Sequence, residues 1–372
     1  MSIDPPSPVL PGLERPLPAD VVRTIEIGIE AGTAPPIEVL RQLVATHRLD
    51  DVTLPGHGRT ARRFGLLAQV SAADLSLGRL VEGHHDALAI LAEAGRQARP
   101  GSYGVWAAER PGGALRAREA GDGHGRWVIS GTKPYASGAG ALDRALVTAT
   151  TAEGPRLFDV DLGLGASSEG CDVLSVVADS WPAVGMADSL SGAVRFGDVR
   201  VDEAAAIGPP GFYTARPGFW AGSAGVAACW YGGADGVLRA LTATLGRADR
   251  ASPAPAPHLL AHLGAAAVRC RALATALTAA AVEIDRDPHD RAGSARLRAL
   301  GLRHLVYEGC LEVLDRASRA GRTSLLTSDR SAARRLADLP VYLSQHHPDD
   351  ALVAIGLDVL EGRSARCTRG NG

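Results

Sequence analysis

The chain has 372 residues, 46% of them hydrophobic, enough to bury a large core shared over more than one domain. A formal net charge of −2 with no long basic run gives no electrostatic footprint for nucleic acid. Five scattered cysteines, Cys171, Cys229, Cys270, Cys310 and Cys367, form no CxxC pair, which argues against a metal site or a disulfide framework. The proline-rich start, MSIDPPSPVLPGLERPLP, reads as neither signal peptide nor anchor, and no apolar run reaches spanning length, so a reducing cytoplasm is the expected setting.

Residues 1 to 18 read as an extended or disordered arm. Helical spacing begins with Val22, Ile25 and Ile29 and continues with Ile37, Leu40 and Val44. Ser71-Ala72-Ala73-Asp74 resembles a capping box with Asp in the Glu position, opening a helix with the stripe Leu77, Leu80, Val81, Leu88 and Leu91. His84 lies in that stripe and reads as a core or interface histidine. After Gly101 the period shortens. Strands are predicted at Tyr103–Trp106, Trp127–Ile129, Ala145–Thr148, Arg156–Val160, Val173–Val177 and Ala193–Phe196, with a turn at Gly121-Asp122-Gly123. Past Pro217 helices return over Phe219–Leu245, His258–Ile284, Ser294–Ser318 and Asp329–Leu343. The third carries the stripe Leu297, Leu300, His304, Tyr307, Leu311 and Leu314. This predicts an α+β protein in three domains. An N-terminal all-α domain spans 1–100, with the arm at 1–18. A middle antiparallel β-sandwich or barrel spans 101–210, and a C-terminal helical bundle spans 211–372.

The stretch Arg126–Ala139, RWVISGTKPYASGA, is the most informative. A short strand leads into Ser130-Gly131-Thr132, and Pro134 holds Lys133 extended. Tyr135, Ser137 and Gly138 then offer a flat ring, a hydroxyl and an approachable backbone, a set that suits a flat heterocycle. A β-turn with a surface tyrosine is the competing reading. The stretch resembles the flavin-facing segment of the acyl-CoA dehydrogenase family: strand, Gly-x-Lys, then aromatic-x-Ser/Thr. Two further segments share the resemblance. Trp181–Val201 is similar to the later middle-domain segment, where a Gly-Met turn leads through small hydroxyl residues into a strand ending Asp-Val-x-Val. Val105–Gly113 stands where the family has Thr-Glu-Pro-Gly.

The resemblance implies FAD as cofactor. It places Tyr135 beside the isoalloxazine ring, the Ser137 hydroxyl near flavin N5, and Trp106, Ala107, Ala108 and Ala136 among the flavin-binding residues. It implies α,β-dehydrogenation of an acyl thioester, an electron-transfer partner or oxygen as acceptor, and a homo- or hetero-oligomer. Departures accompany it. Ala108 replaces a flavin-holding Thr, and Ala114 replaces a Ser associated with the CoA substrate. The segment RALTATLGRADR, Arg239–Arg250, lacks the Arg-x-x-Phe-Gly that contacts the flavin pyrophosphate across subunits. The glycine-rich segment before the last helix is replaced by Leu343–Asp350, which includes His346-His347. The base is expected at Asp358 or Glu361, with solvated carboxylates on a terminal helix as the competing reading. A flavin-dependent monooxygenase on the same fold, or a non-catalytic partner subunit, are the alternative functions. His258 and His262, at i and i+4, lack the Glu of HExxH and predict no metal.

Overall fold

The computed structural model describes residues 17–50, 54–110, 115–121, 126–163, 174–246, 255–327 and 329–362. Along the chain, helices come first, then strands, then helices again, giving a mixed α+β fold. Two compact units result. One comprises Ala19–Val52 and Asp74–Phe219; the other comprises Thr53–Ala73 and Trp220–Gly372, together with Leu17 and Pro18.

In the first unit, α1 (Ala19–Glu30) buries Val22, Ile25 and Ile29, and α2 (Pro36–Ala45) buries Ile37, Val39, Leu40 and Leu43. The first spacing-derived stripe becomes a buried face; in the second, Ile37 and Leu40 are buried, while Val44 is half-buried and Leu43 takes the inner position. The expected capping box is corrected. Ser71 lies inside α3 (Thr60–Ala73), a helix not expected from the sequence pattern. Asp74 itself caps α4 (Leu75–Glu93): its carboxylate accepts from Leu77 N at 2.8 Å. A carboxylate there satisfies an orphan helix donor and sits at the positive end of the helix dipole.

Among the described residues eight strands form one sheet: β1 (Tyr103–Trp106), β2 (Arg116–Glu119), β3 (Trp127–Lys133), β4 (Arg144–Thr151), β5 (Gly154–Asp161), β6 (Leu174–Val176), β7 (Val194–Val201) and β8 (Ala206–Ile207). The order is β6-β7-β3-β2-β4-β5-β8, with β1 also paired to β4. The sheet is not purely antiparallel as expected, since β1 and β2 run parallel to β4. β3 lies on one side of β2 and β4 on the other, so two chain reversals return β4 to the direction of β2. The turn expected at Gly121-Asp122-Gly123 falls partly outside the described residues.

β4 is buried along Arg144–Ala149, the mark of a central strand covered on both faces. Its register with β5 is pinned by Arg144, which meets Asp159 at 2.9 Å and Asp161 at 2.8 Å. On one face α4 contributes Ala87, Ile90 and Leu91 to a core with Tyr103, Leu146, Leu157 and Ile207. Each fully buried Leu or Ile there stabilises by about 1.5–3 kcal/mol. The β3–β7 ladder carries a bulge. Ile129 pairs with Val199 and Gly131 with Phe196, so β7 holds one residue more than β3 between them. Asp198, at φ 59°, takes up the extra residue in the left-handed region that Asp tolerates.

After β8 the chain makes one helical turn, α5 (Phe212–Ala215). The second unit packs α3 with α6 (Gly218–Gly246), α7 (Pro257–Arg286), α8 (Ala295–Thr327), α9 (Arg330–Leu343) and α10 (Pro348–Leu360). α3 begins under a cap supplied from α7: the Asp285 carboxylate accepts from Thr60 N at 3.0 Å and from Thr60 Oγ1 at 2.6 Å. α9 begins under its own cap, Asp329, which accepts from Ala332 N at 3.1 Å. The deepest face of α8 is Ala299, Leu302, Val306, Cys310, Val313 and Ala317, offset from the expected stripe, and Leu311 is exposed. The smaller residues win the inner face because α7 and α8 approach closely, with Gly309 set against the Leu273 side chain. α7 is long and apolar enough to cross a membrane by composition, contrary to the expectation from the sequence. Its Ala266, Cys270, Leu273, Leu277 and Ile284 are buried in the helical packing instead.

Gly232 of α6 shows how tight that packing is. A Cβ there would lie 2.2 Å from the Ala68 carbonyl oxygen of α3, a backbone atom that cannot rotate away. Gly264 of α7 faces open space, with nothing within 4 Å of the point a methyl group would occupy. Gly232→Ala is therefore expected to destabilise by about 1–3 kcal/mol. Gly264→Ala is expected to stabilise by up to about 1 kcal/mol through helix propensity. Urea denaturation of both variants checks the contrast.

Candidate functional site

The candidate site lies in the first unit, where the connection after β3 is bound to the segment before β7. Ala136 N donates to Gly192 O at 2.8 Å, Gly138 N to Ser189 O at 2.9 Å, and Ala139 N to Leu190 O at 3.0 Å. Residue spacing does not announce this zip, because its two sides lie far apart along the chain and each backbone donor simply takes the acceptor that folding brings to it.

Tyr135 projects from this loop at φ 53°, a conformation rare for a non-glycine residue, and it is 47% exposed. An exposed aromatic held in a strained backbone is a functional hint, since strain of about 1–3 kcal/mol persists only where surroundings enforce it. The Arg110 guanidinium stands 4.9 Å from the ring centroid, within cation–π range. Ala136 is fully buried, Ala107 half-buried and Ala108 exposed. Trp106 is buried, and its Nε1 donates to Ser137 O at 2.9 Å, so it fixes the loop from beneath.

Ser137 is buried and belongs to a chain of hydroxyls. Its Oγ lies 2.9 Å from Ser191 Oγ, which lies 2.8 Å from Ser189 Oγ, which donates to Met186 O at 2.7 Å. Met186 O also accepts from Trp181 Nε1 at 3.0 Å and from Ser189 N at 3.1 Å, and either serine can donate in each serine–serine contact. Small hydroxyl residues mark this segment in the sequence, but only the fold shows that Ser189 and Ser191 are the two that reach Ser137.

Lys133, the last residue of β3, is fully buried, with Nζ donating to Thr148 O at 2.9 Å and Thr148 Oγ1 at 2.8 Å. Glu109 approaches Nζ at 3.8 Å. Burial lowers the Lys133 pKa to about 8, an effect Glu109 partly opposes. A small cleft beside the loop is lined by Arg79, Leu80, Gly83, Tyr103, Gly104 and Ser137, among others. Arg79 is ion-paired with buried Glu82, whose pKa burial raises to about 7, opposed by Arg79 and reinforced by Asp86. Nothing in the sequence pattern singles out this pair.

The second unit holds the remaining predicted residues. Asp358 is half-buried on α10, and Glu361 is exposed at its C-cap. His346 is buried, its ring 5.1 Å from Tyr307, 5.7 Å from His304 and 5.9 Å from Trp230. Burial, then Arg303, His304 and His347, lower its pKa to about 4, leaving a neutral imidazole at pH 7. His258 Nε2 lies 3.4 Å from an Arg322 nitrogen. Ala114 lies outside the described residues, as do Cys171 and Cys367.

No family model and no curated protein matches this sequence. Solved structures do resemble it. One is TdsC from Paenibacillus sp. A11-2 in complex with FMN and indole, a protein also described as a dibenzothiophene monooxygenase. It has TM-score 0.74 and 18% identity over 92% of this chain and 95% of that one. The methanesulfinate monooxygenase MsuC from Pseudomonas fluorescens has TM-score 0.73 and 18% identity over 93% and 97%. KijD3, solved with FMN and a dTDP-linked aminoketosugar, has TM-score 0.74 and 20% identity over 98% and 96%. The chain thus has the acyl-CoA dehydrogenase-like fold, shared with flavin enzymes that are not themselves acyl-CoA dehydrogenases.

The buried Lys133 makes stability depend on pH. Its folded pKa lies below the unfolded value of 10.5, so the unfolded chain binds more protons between about pH 8 and 10.5. The burial cost is full below pH 8 and is relieved as pH rises through that window. The stability of the wild type relative to Lys133→Met is expected to rise by about 1 kcal/mol from pH 7 to pH 9. Paired urea titrations at the two pH values measure it; an unchanged difference would show that Nζ stays charged in the folded protein.

Proposed function

We propose that the protein is a flavin-dependent monooxygenase that oxygenates a small molecule using reduced FMN and dioxygen. The observation that carries this reading is full-length similarity of fold to two monooxygenases, TdsC and MsuC. It takes precedence over α,β-dehydrogenation of an acyl thioester with FAD, which the sequence resemblance favoured. The departures point the same way. Residues 239–246, RALTATLG, lack the expected pyrophosphate-contacting motif, a loss that matters for FAD and not for FMN, which has no pyrophosphate or adenosine. A monooxygenase also needs no thioester base at Asp358 or Glu361.

The residues at the first-unit site fit a flavin. Tyr135, backed by Arg110, offers a flat, half-exposed ring for stacking. Trp106, Ala107, Ala108 and Ala136 supply apolar wall and backbone, and Ser137 supplies the hydroxyl. Reduced flavin, when bound, activates dioxygen so that one oxygen atom enters the substrate and the other leaves as water. The protein's share is placement. The zipped loop holds Tyr135 and Ser137 in one geometry, and Lys133 ties the loop's origin to β4. Ordering these groups before binding avoids spending binding energy on rigidifying them.

The test mixes purified protein carrying chemically reduced FMN with isotopically labelled dioxygen and indole. Label in the product, more with FMN than with FAD, is the expected outcome, and Tyr135→Ala should weaken FMN retention. Anaerobic bleaching of oxidised flavin by an acyl-CoA would restore the dehydrogenase reading. Absence of any flavin uptake on titration would leave the partner-subunit reading.

A further inference from the structure

The cleft beside the loop after β3 has one cation in its wall. Among the described residues that line it, Arg79 alone carries a charge. Much of the remaining wall is apolar or bare: Leu80 and Gly83 from α4, Tyr103 and Val105 from β1, and Leu142. Gly83 sets no side chain beside the guanidinium. The point a Cβ there would occupy is 3.9 Å from Arg79 Nη1 and 3.9 Å from Val105 N. The Arg79 side chain is 16% exposed and that of its partner Glu82 only 5%, so the cation meets the cleft while the carboxyl lies behind it. A pair kept for stability alone would hold Glu82 ionised. Here burial raises the Glu82 pKa to about 7, outweighing the Arg79 charge that lowers it, and Asp86 raises it further. Near neutral pH Glu82 is therefore a neutral acid for part of the time, and a neutral acid does not cancel the charge of Arg79.

We infer that Arg79 is a specificity-determining residue, and that the cleft takes small organic acids, with the apolar body against Leu80, Tyr103 and Leu142 and the anionic head on the Arg79 guanidinium. This rests on the monooxygenase reading given above and names the class of molecule that would be oxygenated. Indole, which lacks an anionic head, serves as a probe of oxygenation and is not the preferred class. A guanidinium presents a planar fork of donors that matches a carboxylate, and its charge acts more strongly beside apolar walls than in bulk water. Glu82 is the competing anion. Ionised, it holds Arg79; protonated, it yields Arg79 to a bound acid. Proton uptake by Glu82 and binding of the acid therefore favour each other, and falling pH favours both. The groups that face Glu82 are Arg79 and Asp86 on α4 and Tyr213 on α5. Burial, then Asp86, pushes the Tyr213 pKa up to about 12, so it stays neutral near pH 7. Arginine keeps its charge throughout, so titration in this range belongs to the Glu82–Asp86 pair.

The experiment measures dissociation constants for benzoate, benzamide and benzylamine, three probes of similar size and different charge. Calorimetry is run on the purified protein with and without FMN, at pH 6 and pH 8. Benzoate should bind roughly 10- to 100-fold more tightly than benzamide, the range for hydrogen bonds to a charged group. Its affinity should fall by up to about tenfold from pH 6 to pH 8 as Glu82 ionises, while that of benzamide stays level. Arg79→Gln should abolish the preference for benzoate, and Arg79→Lys should keep part of it. Glu82→Gln should tighten benzoate binding at pH 8 and flatten the pH dependence, a gain that misfolding cannot mimic. Equal affinity for the three probes, or binding of none, would overturn the inference. A preference for benzylamine would overturn it too, by placing recognition on the carboxyls. Failure to take up FMN would instead overturn the flavin reading, and the benzoate preference of the flavin-free protein would be read separately.

Discussion

The site depends on the pairing of one loop with another. Residues 136–139 are buried, and a buried backbone N–H without an acceptor costs about as much as a lost hydrogen bond. The carbonyls of Ser189, Leu190 and Gly192 supply acceptors for Gly138, Ala139 and Ala136, Ser137 N donates within its own loop to Tyr135 O, and residues 186 and 190 adopt left-handed conformations as the second segment turns. Each loop is thus the other's template. Tyr135 inherits its strained backbone from this arrangement. Lys133 and Ala136, which flank Pro134 and Tyr135, are both buried and both hydrogen-bonded, so the two residues between them have little freedom to relax. An aromatic ring held this way loses little entropy when a ligand stacks on it.

The helical unit reaches its stability by a different route. Its close contacts are made by glycine and alanine, and one helix start, that of α3, is satisfied from a distance by Asp285 of α7. Small residues give up side-chain burial and gain backbone proximity, so the energy is spread over many dispersion contacts. His346 belongs to the same unit as a neutral imidazole among aromatic rings. The Trp230 Nε1 and His304 Nδ1 atoms near it are buried without a hydrogen-bond partner among the described residues.

Element type was legible in the sequence wherever burial is one-sided. The stripe Val22, Ile25, Ile29 has helical spacing and becomes a buried face, and in the strand at Val194–Phe196 the two apolar residues turn inward while Arg195 turns out. Legibility failed where neighbours decide. In α8 the larger residues advertise one stripe, yet close approach to α7 selects the adjacent, smaller one. Ser71 and Asp74 look like one signal, and only the break between α3 and α4 shows that Asp74 is the cap. The stretch that resembles a flavin-facing segment was recognisable from local pattern, since Lys133, Tyr135 and Ser137 are close in sequence. Arg110, Ser189 and Ser191 reach it through tertiary pairing, which no local pattern encodes.

The bulge in β7 has a bearing on how this chain tolerates change in length. Val194 and Phe196 are buried on one side of Asp198, and Val199 is buried on the other. Strict alternation from Phe196 would turn Val199 outward, so the extra residue works as a parity switch between two halves of one strand. Losing one residue at 197 or 198 would leave a single residue opposite Ser130, a regular ladder in which Phe196 and Val199 both still face inward. Losing one residue elsewhere in β7 would instead exchange inside for outside along whichever half slipped. The bulge is thus the point of the strand at which a one-residue deletion preserves both buried faces.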